Sequence, residues 1–191
     1  SRPDAAGQAD TTKPPRWQCA DVVIAEPPPE AIVEGLVWAD TISVLVGASS
    51  AGKTFVLLDL AASVSAGLPW LHRGVIEGSV VYLGFEGHVG LRLRALREAG
   101  QWLKHLYIIR AGDPLSPVID RDRAETPSRG ERDAIRDLKQ ITTHVGDAGH
   151  PQVRLLIVDT VRASLAGSED SSEAASAYLR AVRRIMAAAP G

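Results

Sequence analysis

From about residue 31 onward, short apolar runs alternate with stretches whose apolar residues recur at helical spacing. Thr41-Ile42-Ser43-Val44-Leu45-Val46 is short, β-branched and closed by Gly47, the pattern of a buried strand. Residues 54–66 then place Phe55, Leu58, Ala62 and Ser65 on one helical face, with Gly67 as the C-terminal stop. Ser79-Val80-Val81-Tyr82-Leu83-Gly84-Phe85 reads as a second strand. A helix is predicted over 89–99, with Val89, Leu93 and Leu96 on one side and Gly100 behind it. Leu106-Tyr107-Ile108-Ile109 predicts a third strand, and Ile135, Leu138, Ile141 and Val145 a helix over 131–145. Val153-Arg154-Leu155-Leu156-Ile157-Val158 is the fourth strand. A last helix is predicted over 172–188, with Ala175, Leu179, Val182, Ile185 and Met186 facing inward and Asp170 or Ser171 as cap.

Strands alternating with helices predict an α/β fold, a mostly parallel sheet covered by helices on both faces. The pattern closes on a helix, and such a sheet is expected to continue, so the core is expected to be incomplete at its C-terminus. No internal repeat is present. Residues 1–30 are rich in Pro, Ala, Asp and Thr without periodicity, and Pro27-Pro28-Pro29 ends them as a stiff, extended piece. They are expected to be a linker or disordered segment, with Asp21-Val22-Val23-Ile24-Ala25 as a candidate edge strand. The ordered domain is expected over 31–191, with a polar, proline-bearing loop at 113–130.

Composition narrows the class. At 191 residues, 45% hydrophobic and 23% charged, the chain suits one globular domain with a sizeable core. A net charge of −2 speaks against a strongly basic nucleic-acid-binding surface, so contact with DNA would need a local patch or assembled subunits. Cys19 is alone, which excludes an internal disulfide. No apolar run is long enough for a membrane helix and no signal pattern opens the chain, so a cytoplasmic location is expected.

The chemistry concentrates in Gly47-Ala48-Ser49-Ser50-Ala51-Gly52-Lys53-Thr54, which matches G-x-x-x-x-G-K-[ST] between a predicted strand and a predicted helix. Gly47 and Gly52 permit a tight turn that brings backbone N–H groups to a phosphate. The following helix adds unpaired N–H donors and the positive end of its dipole. Lys53 offers a compact charge to the β- and γ-phosphates, and the Thr54 hydroxyl suits Mg²⁺. With Phe55 behind it, this loop is the candidate binding site for ATP.

Asp159 ends the fourth strand, where open α/β sheets bind ligands, and suits the second Mg²⁺ position. The next residue is Thr160, where many ATPases of this kind place a glutamate. Glu86, just past the second strand, is therefore the candidate base for the attacking water. His72 and His88 read as loop histidines, since no second ligand stands at metal-like spacing. Glu169-Asp170 suits helix capping, and Trp17, Trp38, Trp70 and Trp102 read as packing residues.

Three blocks taken together, the phosphate loop, Val80-Val81-Tyr82-Leu83-Gly84-Phe85-Glu86-Gly87 and Leu155-Leu156-Ile157-Val158-Asp159-Thr160, carry a family resemblance. The chain resembles the RecA-like ATPases, and within them the RepA-type hexameric helicases and their AAA_25-like relatives, over roughly 31–187. That resemblance implies a three-layer RecA-like sheet, Mg²⁺-dependent ATP hydrolysis at subunit interfaces, and a homo-oligomeric ring or filament acting on single-stranded DNA. Lys53 would bind phosphate, Thr54 and Asp159 would serve Mg²⁺, Glu86 would be the base, and Arg162 looks like a basic position found after this strand in RepA-type proteins. RepA-type sequences often have Glu-Asp where this chain has Glu86-Gly87, and the polar sensor strand and the arginine finger of the family have no assigned counterpart. Three readings stay open: a DNA-directed motor, a nucleotide-dependent assembly switch, and a small-molecule kinase using Arg121, Arg123 and Arg129.

Overall fold

The computed structural model describes residues 17–85, 87–116, 126–168 and 171–189. In chain order the elements are α1 (Ala20–Ala25), β1 (Ala31–Val33), β2 (Val37–Trp38), α2 (Lys53–Ala66), β3 (Ser79–Gly84), α3 (Val89–Glu98), β4 (Leu106–Arg110), α4 (Arg129–Asp147), β5 (Val153–Asp159), α5 (Val161–Ser164) and α6 (Ser172–Met186). β3 lies between β4 and β5 in a three-stranded parallel sheet, and β1 and β2 form a separate antiparallel pair. Val81 stands opposite Tyr107 on one side and Leu156 on the other, which fixes the register.

Both faces of β3 are covered, which is why its sequence is apolar without interruption. Val80 and Tyr82 pack with Leu58, Ala61 and Val64 of α2, and with Ile32 and Val33 of β1. Val81 and Leu83 face the other way, toward Leu138 of α4 and Tyr178, Val182 and Ile185 of α6. Each fully buried Leu or Val contributes about 1.5–3 kcal/mol relative to exposure. The predicted mixed α/β class and the helices on both sheet faces are observed.

The helix ends follow from local chemistry. Gly67 ends α2 with φ of 64°, a left-handed position that suits glycine. The Ser128 hydroxyl accepts from the Glu131 amide at 2.9 Å and starts α4, while donating toward the Leu115 carbonyl at 2.7 Å. Glu131 is fully buried, and the Arg184 guanidinium donates to its two oxygens at 2.5 and 2.9 Å, tying α4 to α6. Ser171 caps α6 by accepting from the Ala174 amide; Asp170, the other predicted cap, lies outside the described residues.

Four expectations are corrected. Residues 41–46 are not a strand: they are irregular, and Val44 and Val46 are 65% and 84% exposed. A strand requires a hydrogen-bonding neighbour, and the described residues place none beside this run. The candidate edge strand at 21–25 is instead the single-turn α1, in which the Val22 and Val23 amides both donate to the Cys19 carbonyl. The inward face of α6 is Ala174, Ala177, Tyr178, Ala181, Val182 and Ile185, whereas Leu179 is 41% exposed, because small alanines let the helix approach on that side. Of the four tryptophans only Trp70 packs against a core, with its Nε1 donating to Asp59 Oδ2 at 2.9 Å; Trp17, Trp38 and Trp102 are exposed.

Candidate functional site

The site lies where β3 and β5 end, beside the N-terminus of α2. β5 reaches this edge by crossing over β3 from β4, and open α/β sheets bind ligands in the crevice formed at such a reversal. The tips are fixed to each other by the Phe85 amide, which donates to the Asp159 carbonyl at 3.0 Å.

Gly52 precedes α2 with φ of 83°. A Cβ there would meet nothing within 4 Å, so glycine is needed for the backbone angle and not for space. Without a side chain at this position α2 has no cap, which leaves first-turn N–H groups facing the loop. Lys53 opens the helix and its ammonium donates back to the Gly47 and Ala48 carbonyls, both at 2.8 Å. Ala48, Ser49, Ser50 and Ala51 lie exposed on the surface, and the Ala51 amide donates to the Ala48 carbonyl at 3.3 Å.

At the second residue of α2, the Thr54 hydroxyl donates to Asp159 Oδ2 at 2.7 Å, joining two residues 105 positions apart in the chain. Asp159 is 6% exposed, and the same oxygen accepts a short hydrogen bond from the Tyr82 hydroxyl. Burial first, then this hydrogen bond, push the Tyr82 phenol far above its ordinary proton affinity, so it stays protonated and donates. The Asp159–Thr160 peptide bond is cis. Thr160 accepts from the Ala163 amide at 3.3 Å and caps α5, which gives the position after Asp159 a structural task.

The structure thus brings Lys53, Thr54 and Asp159 to one edge. Phe55 follows Thr54 and is 49% exposed there. Glu86 lies outside the described residues, between Phe85 and Gly87. Arg121, Arg123, Glu169 and Asp170 lie outside them as well. Arg129 is committed to Asp113 and Asp133 at 3.5 and 3.7 Å, while Arg162, His72 and His88 are exposed. Among the described residues no group of three His, Cys, Asp or Glu could hold a metal. A hydroxyl and one carboxylate are the donor set that suits a cation completing its shell with phosphate and water oxygens. Tyr82 escaped the sequence reading, although the alternation of its strand already placed it on the same face as Val80, toward α2.

A glycine-bounded loop entering a helix, with its threonine hydrogen-bonded to an acid at a parallel strand tip, defines a P-loop nucleotide-binding protein. The chain belongs to the AAA_25 family, described as AAA domain, whose family model matches residues 8–190. No curated protein and no solved structure matches it. Membership makes it an ATPase-family protein of the P-loop type, and no helix among the described residues is long and apolar enough to cross a membrane.

Proposed function

We propose that the chain is the Mg²⁺-dependent, RecA-like ATPase domain of a DNA-directed motor, most akin to the RepA-type helicases, working as a homo-oligomer on single-stranded DNA. The observation that carries the nucleotide chemistry is the Thr54–Asp159 hydrogen bond beside the Lys53 loop. Mg²⁺, held by Thr54 and through water by Asp159, would offset phosphate charge. Lys53 exchanges its two loop carbonyls for β- and γ-phosphate oxygens. First-turn amides of α2 hold the phosphates in place. Glu86 takes the proton of the attacking water.

The test is steady-state ATP hydrolysis with and without single-stranded DNA, with Lys53→Ala as the blank. Lys53→Ala is expected to weaken ATP binding by roughly 10–100-fold, the effect of losing one charged phosphate contact. Glu86→Gln should keep nucleotide binding and lose turnover; unchanged turnover would remove Glu86 as the base. The net charge of −2 favours a second reading, an assembly switch that binds ATP and ignores DNA. Nucleotide-dependent oligomers with no stimulation by DNA would select it over the motor.

A further inference from the structure

The geometry points to Arg92 of α3 as a ligand of the γ-phosphate, supplied by the same chain that carries the phosphate loop. This rests on the Mg·ATP reading above and adds to it a residue that neither the loop nor the strand tips contain. Two contacts place the guanidinium. Its central carbon stands 6.0 Å from the centroid of the Phe55 ring, and Phe55 is the residue directly after Thr54. A Cβ built on Gly87 would lie 3.1 Å from Arg92 Nη1, so the guanidinium rests against the turn that leaves the tip of β3. Its positive charge also acts to lower the proton affinity of the Tyr82 hydroxyl, against the burial and the Asp159 hydrogen bond that raise it. The first turn of α2 and the exit from β3 therefore both adjoin this one cation.

Among the described residues that cation has no anionic partner of its own. Arg129, Arg136, Arg154 and Arg184 are each paired with a carboxylate, whereas none of the ion pairs among the described residues includes Arg92. It rests instead on an aromatic face, a weak contact that a phosphate can displace. A guanidinium presents a planar fork of donors that matches two phosphate oxygens, and this is the chemistry the position lacks an acceptor for. Gly87 contributes by its backbone, since its φ of 73° strains most other residues, and a Cβ there would crowd the guanidinium by a few tenths of an ångström. A helix surface arginine with only a structural part to play would support ADP and ATP alike. An arginine on the γ-phosphate separates them.

The experiment compares the affinities of the full chain for ADP and for a non-hydrolysable ATP analogue, both with Mg²⁺, in wild type, Arg92→Gln, Arg92→Lys and Lys53→Ala. Arg92→Gln is expected to hold ADP within about 2-fold of wild type and to weaken the ATP analogue by roughly 10–100-fold, the range for one charge-assisted phosphate contact. Arg92→Lys, which keeps charge but loses the fork, should fall between them and serves as the reference should the glutamine variant not fold. Equal effects on both nucleotides, or an unchanged ratio in Arg92→Gln and Arg92→Lys, would overturn the assignment. If wild type binds neither nucleotide any better than Lys53→Ala, the Mg·ATP reading itself falls and takes this one with it.

Discussion

β5 and residues 41–46 both run into the site, one ending on Asp159 and the other on Gly47, and both are apolar and β-branched. β5 is hydrogen-bonded along β3, with Ile157 and Asp159 buried. The run before Gly47 is exposed from end to end. The functional side chains inherit this difference. Asp159 is held by residues from two other elements, Thr54 on α2 and Tyr82 on β3. Among the described residues Lys53 is held only by carbonyls five and six residues back in its own loop. The acid is thus positioned by tertiary packing before any ligand arrives, while the phosphate-binding half is organised locally. Ordering a loop on binding costs free energy that a preset group does not, so the two halves should respond differently to substitution.

Truncation at matched positions is the strongest way to break that contrast. Ile157→Ala on β5 should cost about 2–5 kcal/mol of unfolding free energy, as buried aliphatic deletions do. Val46→Ala, at 84% exposure, should stay within about 0.5 kcal/mol. Urea unfolding of both variants reads the difference directly. A cost above about 1 kcal/mol at Val46 would mean that the run is packed in solution, and the contrast would collapse.

A smaller effect sharpens the same contrast at the side-chain level. Tyr82→Phe removes one of the two hydroxyls holding Asp159 and should destabilise the chain by about 1.5–3 kcal/mol, typical of a hydrogen bond to a charged group. Asp159 then keeps Thr54 alone. A Mg²⁺ titration of nucleotide binding should shift to higher concentration in this variant, while Mg²⁺-free binding through the Lys53 loop stays as it was. Equal shifts with and without Mg²⁺ would show that Tyr82 supports the loop as well as the acid.

These two halves were also unequally legible in the sequence. Lys53, Thr54 and Asp159 stand in positions where residue type and neighbouring pattern suffice, because a glycine-bounded turn and a strand tip are local objects. α2, α3, α4 and β3 to β5 begin and end within two residues of the predicted bounds, since glycine stops and serine caps mark them. Residues 41–46 carry every local sign of a strand, yet pairing depends on a neighbour that no local pattern reports. Tyr82 and Arg92 were missed for a related reason. Each looks like a core tyrosine or a surface arginine until the fold brings Asp159 and Phe55 beside it. The face of α6 was read one step off because alanines, which pack inward there, carry a weak periodic signal.

The smallest effect comes from the opposite edge of the sheet, where β4 begins. His105 is 5% exposed, and its Nδ1 is buried with no hydrogen-bond partner among the described residues. Burial holds its proton affinity below the ordinary histidine value; His150 and Lys104 push the same way and Glu77 opposes them. The native chain therefore keeps His105 neutral at a pH where the unfolded chain, near its ordinary value of about 6.5, takes up a proton. More protons bound to the unfolded state means that stability falls with falling pH. The contribution is complete above about pH 6.5 and declines below it. His144 and His150 share ring contacts with this corner, and Tyr107 hydrogen-bonds His150 Nδ1 at 2.9 Å, so the substitution must leave them in place. His105→Phe keeps a ring against His150 and removes the titration. Urea midpoints at pH 7.5 and 5.5 should then fall less in the variant than in wild type. Amide exchange should show the loss in β3 and β4, with residues 42–46 exchanging fast at both pH values once corrected for intrinsic rates. An equal fall in both proteins would mean that acid acts elsewhere. Protection appearing at 42–46 would mean that the run finds a ladder partner in solution, which would erase the difference between it and β5.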